Sequence, residues 1–276
     1  MLPIERRLSR ALQVGGGLQA SPTNQNFSSR FQICCRKGMA RRGVLRRQWH
    51  NRTVKDAPAV IAHSHAAAHG RCGVAEMRTL LWDVGGVILS NAWGAESRKR
   101  AIQKYSLAEE EFNERHELVD SEFEEGRLTL DEYLDWVVFY CRRDFSREDF
   151  REFMFRESEV KPEALAVLAS LARSGRFRMA TLNNESRELN LYRIERFHLR
   201  DYFQDFFSSC YLGLRKPRRE IYRRALEITQ TPPDECVFID DRKLNVECAQ
   251  LLGMQTIHFQ SVEQLRRDLA RIGVEA

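Results

Sequence analysis

Residues 79–84, Thr-Leu-Leu-Trp-Asp-Val, form a short apolar run that Gly85-Gly86 close at once. A run of that length bounded by glycines predicts a buried strand. From there the pattern turns helical and stays so to about residue 175. Thr129 with Glu132 makes a capping box, followed by an apolar face through Leu134, Val137, Val138 and Cys141. Ser146 with Asp149 repeats the signal, and Phe145 and Phe150 are spaced for a hydrophobic staple across it. Lys161-Pro162-Glu163 places proline at a first helical position, and Gly175 closes that helix.

Beyond Gly175 the period alternates. Strands are expected at 178–182, 205–209, 236–240 and 256–259. Helices are expected at 186–197, 218–229, 245–252 (closed by Gly253) and 262–272. Strand–helix alternation predicts an α/β fold: a parallel sheet covered on both faces, joined by right-handed crossovers. The helical stretch between the first two strands is too long for one crossover. The expected organisation is therefore a core of residues 77–90 and 161–276 with a helical cap, 91–160, inserted into it.

Charge separates the first 76 residues from the rest. They hold 13 Lys and Arg against Glu5, Asp56 and Glu76, a net +10, whereas 77–276 nets −5. The basic segment shows no sustained hydrophobic period, so no fold is expected of it. Three readings stand for it: an extension ahead of a true start at Met77, an organelle transit peptide with Ile4, Leu8 and Leu12 on one helix face, or a functional tail. No nucleic-acid module accompanies the basic charge, so no nucleic-acid partner is expected. No apolar run approaches the ~18 residues of a membrane span, so no membrane partner is expected either. The seven cysteines form no CxxC pair and predict a reducing compartment. The expected location is the cytoplasm, or an organelle if the segment is a transit peptide.

In a parallel α/β sheet, ligands bind beyond the carboxyl ends of the strands. The polar residues at those ends are Asp83, Asn183-Asn184 and Asp240-Asp241, with Lys216-Pro217 in the loop after the third strand. A carboxylate can attack phosphorus and form a covalent intermediate. Phosphoryl transfer needs its charge neutralised by a hard cation and a lysine. Mg²⁺ takes oxygen ligands, which Asp83, Asp241, Asp240 and the Gly85 carbonyl offer. Lys216 is expected to hold phosphate oxygens and restrain Asp83, and Asn183 and Asn184 to donate hydrogen bonds to the phosphate. Asn91 and Trp93 sit where the chain leaves the first motif, placed to meet a substrate, with core packing the equal alternative for Trp93.

The order Asp83-Val84-Gly85-Gly86-Val87, Leu182-Asn183-Asn184, Lys216-Pro217 and Phe238-Ile239-Asp240-Asp241 resembles the four motifs of the haloacid dehalogenase superfamily, over about residues 77–260. The likeness is strongest to the branch with a small helical cap, similar to sugar-1-phosphate phosphatases and the N-terminal phosphatase domain of epoxide hydrolase. The resemblance implies a Rossmann-like core with the first strand central. It also implies an Mg²⁺-dependent phosphatase of a small phosphorylated metabolite, working through an aspartyl-phosphate. Two positions depart from the pattern. Gly85 stands where family phosphatases usually carry a second Asp as general acid/base, and Asn183 stands where Ser or Thr is usual, with Thr181 two residues earlier. A cap residue such as His116 is a candidate substitute acid. A haloacid-type dehalogenase and a non-catalytic relative that binds a ligand or partner remain as alternatives.

Overall fold

A computed structural model describes residues 76–275. The readings of the N-terminal basic segment fall outside the described residues. Five strands form one sheet: β1 (Thr79–Trp82), β2 (Arg178–Asn183), β3 (Asp205–Ser208), β4 (Cys236–Asp240) and β5 (Gln255–His258). All pair in parallel, in the order β3-β2-β1-β4-β5. Five helices lie between β1 and β2, the first four being α1 (Ala95–Lys104), α2 (Glu109–Glu124), α3 (Leu130–Val137) and α4 (Arg147–Arg156). They are followed by α5 (Pro162–Ser174), α6 (Arg187–Arg196), the single turn α7 (Ser209–Leu212), α8 (Arg219–Thr229), α9 (Lys243–Gln250) and α10 (Val262–Arg271).

β1 is central and buried along its whole length. Alternate residues of a strand point to opposite faces, so such a strand must feed two cores. Leu80 and Trp82 pack on one side with Val167, Leu168 and Leu171 of α5 and Leu265 and Leu269 of α10. Leu81 packs on the other with Ile221, Tyr222 and Ala225 of α8 and Ala249 of α9. This two-sided burial is why the strand reads as an unbroken apolar run.

Both capping boxes form. Thr129 and Glu132 exchange hydrogen bonds at the start of α3, and Ser146 and Asp149 do so at the start of α4. The Phe145 and Phe150 rings stand 6.0 Å apart across the second. Each such cap contributes about 1 kcal/mol.

The helical expectation fails over residues 85–94. There the chain turns back on itself: Ile88 and Leu89 both donate to the Val84 carbonyl, and Leu89 bridges to Gly85 and to Val160. The chain leaving the core for α1 and the chain returning from α4 are tied together at Ser90. Its amide donates to the Glu159 carbonyl (2.8 Å) and its hydroxyl to the Glu157 carbonyl (2.6 Å). The Glu159 amide returns a bond to the same hydroxyl (2.9 Å), and Lys161 N donates to Ile88 O (2.9 Å). Among smaller differences, Ser209 opens α7 instead of ending β3, α9 starts two residues earlier than expected, and β5 sits one residue earlier.

Candidate active site

The register pairs Trp82 with Thr181 on β2 and with Ile239 on β4. Asp83 therefore emerges beside the carboxyl ends of both neighbours, where strand order reverses direction from β1. That reversal is the usual place for a ligand crevice. The Asp83 amide continues the ladder, donating to Ile239 O at 2.8 Å.

Lys216 Nζ lies 3.0 Å from Asp83 Oδ2 and 2.6 Å from Asp240 Oδ2. All three residues are buried, Asp240 completely. The remaining contacts of Asp240 come from the Arg242 amide (2.7 Å) and Asn245 Nδ2 (3.0 and 3.1 Å), so both its oxygens are satisfied within the protein. Asp241 differs. Its Oδ2 meets only Asn91 Nδ2, at 3.4 Å, and its Oδ1 is buried without any partner among the described residues. One oxygen each from Asp83, Asp240 and Asp241 can be drawn from within 4.8 Å of one another.

Three carboxylates thus face one lysine. Burial pushes the Asp83 carboxyl up to about 8; Lys216 opposes this, and Asp240 and Asp241 reinforce it. Burial works to lower the Lys216 pKa, but its ion pairs with Asp83 and Asp240 prevail and hold it above the ordinary lysine value. An excess of negative charge, an orphaned carboxylate oxygen and an all-oxygen donor set fit a hard divalent cation such as Mg²⁺. Gly86 makes the close approach possible. Its φ of +77° lies in the left-handed region, and a Cβ there would stand 2.0 Å from Asp241 Oδ2.

The sequence-predicted asparagines have partners inside the protein. Asn183 is buried, donating to Asn190 Oδ1 (3.2 Å) and accepting from Ser208 Oγ (3.0 Å). Asn184 pairs reciprocally with the Lys216 backbone, its Nδ2 donating to O (2.9 Å) and its Oδ1 accepting from N (2.8 Å). These bonds hold both side chains in place within the protein. Asn183 braces β2 against β3 and α6, and Asn184 fixes the lysine loop.

A cleft with about 720 Å³ of open space, part of it continuous with solvent, runs from Asp83 and Lys216 past Gly85 and Asn91. More of its lining comes from the segment between β1 and β2: Trp93 ahead of α1, Arg98 on α1, and His116 and Asp120 on α2, among others. Residues not singled out from sequence complete it. Glu185 and Arg193 form a buried pair at 2.6 Å, and Arg193 Nη2 also holds the Ser90 carbonyl (2.5 Å). Burial raises the Glu185 carboxyl above its usual range against the pull of Arg193. The eight-residue spacing of this pair carries no local signal. Asn245, in the first turn after Asp240-Asp241, was legible from spacing alone.

His116 lines this cleft, but burial and then Arg98 push its pKa down to about 4. It is neutral at neutral pH and holds no spare proton there, which weighs against it as the substitute acid. The shift also has a cost for stability. The unfolded chain takes up the His116 proton near pH 6.5 and the folded one only near 4, so stability falls as pH drops through that window. Urea unfolding at about pH 7 and about pH 4.5 is expected to show wild type losing about 1–2 kcal/mol more than His116→Gln, allowing for partial exposure. Equal losses in the two proteins would refute the assignment.

A family model for haloacid dehalogenase-like hydrolases matches residues 77–253. The chain belongs to this family. As a haloacid dehalogenase-like hydrolase it is 31% identical over 160 residues to flavin mononucleotide hydrolase 1 of Arabidopsis thaliana, covering 58% of this chain and 64% of the relative. It is 25% identical over 209 residues to D-ribitol-5-phosphate phosphatase of Bacteroides thetaiotaomicron, covering 71% and 98%. The chain spans less than two thirds of the plant hydrolase, and 36% and 39% of two longer relatives, a fungal drimenol cyclase and a pig bifunctional epoxide hydrolase. Among solved structures, a haloacid dehalogenase family enzyme of Bacteroides thetaiotaomicron in complex with magnesium and inorganic phosphate superposes with a TM-score of 0.58, at 22% identity, over 67% of this chain and 94% of that one. That likeness is one of fold: a parallel α/β sheet flanked by helices. Among the described residues, no helix is long and apolar enough to cross a membrane.

Proposed function

We propose that this hydrolase is an Mg²⁺-dependent phosphatase of a small phosphorylated metabolite, with Asp83 as the nucleophile. The observation that carries the reading is Asp83, on the cleft lining, held at 3.0 Å from Lys216 and clustered with two further carboxylates. On this reading 77–90 and 161–276 are the core and 91–160 is the cap. An Asp83 oxygen attacks phosphorus in line with the leaving oxygen. The O–P bond to Asp83 forms as the ester P–O bond breaks, and the leaving oxygen takes a proton from solvent water in the open cleft. Water then attacks the aspartyl-phosphate, returning Asp83 and releasing inorganic phosphate. Lys216 steers the carboxylate and offsets charge on the phosphoryl oxygens.

Asp83, Asp241 and the Gly85 carbonyl would hold Mg²⁺, which when bound neutralises charge on the phosphoryl group. Asp240, with both oxygens already engaged, fits better as the anchor of Lys216 than as a direct ligand. The magnesium- and phosphate-bound relative supports the cofactor. The names of the plant and bacterial relatives support the substrate class, since flavin mononucleotide and D-ribitol 5-phosphate both carry a primary phosphate on a five-carbon polyol chain.

The direct test is Mg²⁺-dependent release of nitrophenol from p-nitrophenyl phosphate, followed by flavin mononucleotide and D-ribitol 5-phosphate. No turnover of any of them would sink the proposal. The metal assignment has its own check. Saturating Mg²⁺ stabilises a protein it binds by about 2.7 kcal/mol at a hundredfold excess over Kd. A thermal melt should show that gain in the wild type and none in Asp241→Ala. An unchanged Mg²⁺ response in the variant rules Asp241 out as a ligand.

A further inference from the structure

Three side chains from the helical region meet at one buried hydroxyl. Tyr133 is fully buried, and its Oη lies 2.8 Å from Trp93 Nε1 and 2.9 Å from His116 Nδ1. An indole N–H can only donate, so the phenol oxygen accepts from Trp93. The phenol proton then needs an acceptor of its own, and His116 Nδ1 is the one in reach. If His116 donated as well, a buried O–H would be left unsatisfied. Nδ1 therefore carries a lone pair, and the ring proton of the neutral imidazole sits on Nε2.

Nε2 makes no hydrogen bond among the described residues, and His116 lines the cleft with Trp93, Phe123 and Arg98. The neighbouring acids Asp120 and Glu124 are each drawn to Arg215, at 3.1 and 3.3 Å. The cleft lining thus includes a fixed N–H donor without a protein acceptor among the described residues. A hydrocarbon leaving group would bury that donor unpaired, whereas a hydroxylated one would pair it. The same logic gives enzymes their strongest discrimination between polar and apolar analogues.

We propose that His116 is a specificity-determining residue whose Nε2–H, its tautomer set by the Trp93–Tyr133 relay, hydrogen-bonds an oxygen of the leaving group, so that the site takes phosphate esters of hydroxylated alcohols over those of hydrocarbon alcohols. Trp93 and Tyr133 are positioning residues that act through the imidazole. The inference rests on the phosphatase reading above.

The test compares kcat and KM for D-ribitol 5-phosphate, geranyl phosphate and p-nitrophenyl phosphate in Mg²⁺-loaded protein. Three proteins are used: wild type, His116→Gln, which keeps an N–H donor, and the double variant His116→Phe/Tyr133→Phe, which leaves no orphaned phenol. Wild type is expected to favour the ribitol ester over the geranyl ester. In the double variant the ratio of kcat/KM for ribitol ester to aryl ester should fall roughly tenfold or more, with the loss in KM for the ribitol ester. His116→Gln should recover part of it. ¹⁵N chemical shifts of wild type should report the Nε2–H tautomer. A preference for the geranyl ester, an unchanged ribitol-to-aryl ratio in the double variant, or an Nδ1–H tautomer overturns the proposal while leaving the phosphatase reading intact. Absence of turnover of all three esters by wild type overturns that reading, and this inference with it.

Discussion

In Asp83→Asn, phosphatase activity is expected to vanish while the metal-free protein melts higher than the wild type. Removing a covalent nucleophile costs on the order of 10⁵–10⁶-fold in other hydrolases, and the amide keeps the shape of Asp83 without its attacking charge. The stability gain comes from the same site. Asp83 faces two other carboxylates across one lysine, and its pKa in the fold is raised from the ordinary 3.8 to about 8. The folded state therefore binds a proton that the unfolded chain has already released, and stability is lost as pH climbs from about 4 to about 8. In EDTA, wild type should melt progressively lower across that window and Asp83→Asn should not. Calorimetry across pH, alongside p-nitrophenyl phosphate turnover, reads both effects. Retained activity would remove Asp83 as nucleophile; a variant that melts below the wild type at about pH 7.5 would contradict the electrostatic account.

The second large effect concerns the carboxyl that Gly85 does not provide. A positioned acid or base typically contributes about 10²–10⁴-fold. Alkyl phosphates, whose leaving oxygen needs a proton, should gain most from restoring it. The structure shows what occupies that space: a Cβ on Gly85 would stand 2.8 Å from Asn91 Oδ1. Asn91 is exposed, so its side chain can swing away at modest cost. Pairing Gly85→Asp with Asn91→Ala removes the conflict. The double variant is expected to raise D-ribitol 5-phosphate hydrolysis about 10²-fold and p-nitrophenyl phosphate hydrolysis much less. A folded, Mg²⁺-responsive double variant whose alkyl-to-aryl ratio equals that of wild type would show that the missing acid does not limit this enzyme.

The sheet and the strand-end carboxylates were legible because they are written in short windows. β1 is an apolar run cut off by Asp83 and two glycines, and the capping boxes of α3 and α4 span four residues each. The turn at 85–94 was not, because its bonds run to Glu157, Glu159 and Val160, some seventy residues away. Side-chain direction was also hidden. Asn183 and Asn184 occupy strand-end positions fit for a ligand, and no local signal reveals their bonds to Asn190, Ser208 and the Lys216 backbone. The Trp93–Tyr133–His116 contact joins residues 40 and 17 positions apart, and it needs α2 packed against α3 and the turn before α1 brought to both.

Ser90 has a mechanical consequence. Two independent linkers would let the helical unit swing about either one, like a door on a loose pin. Here the outgoing and returning chains are laced by three hydrogen bonds through one serine, and the core grips the same residue through Arg193. The two linkers are therefore joined to each other and, through Arg193, to Glu185 at the cleft wall. The chain that leads to Trp93 and His116 thus leaves the core at a residue held by the same guanidinium that pairs with Glu185 on the cleft.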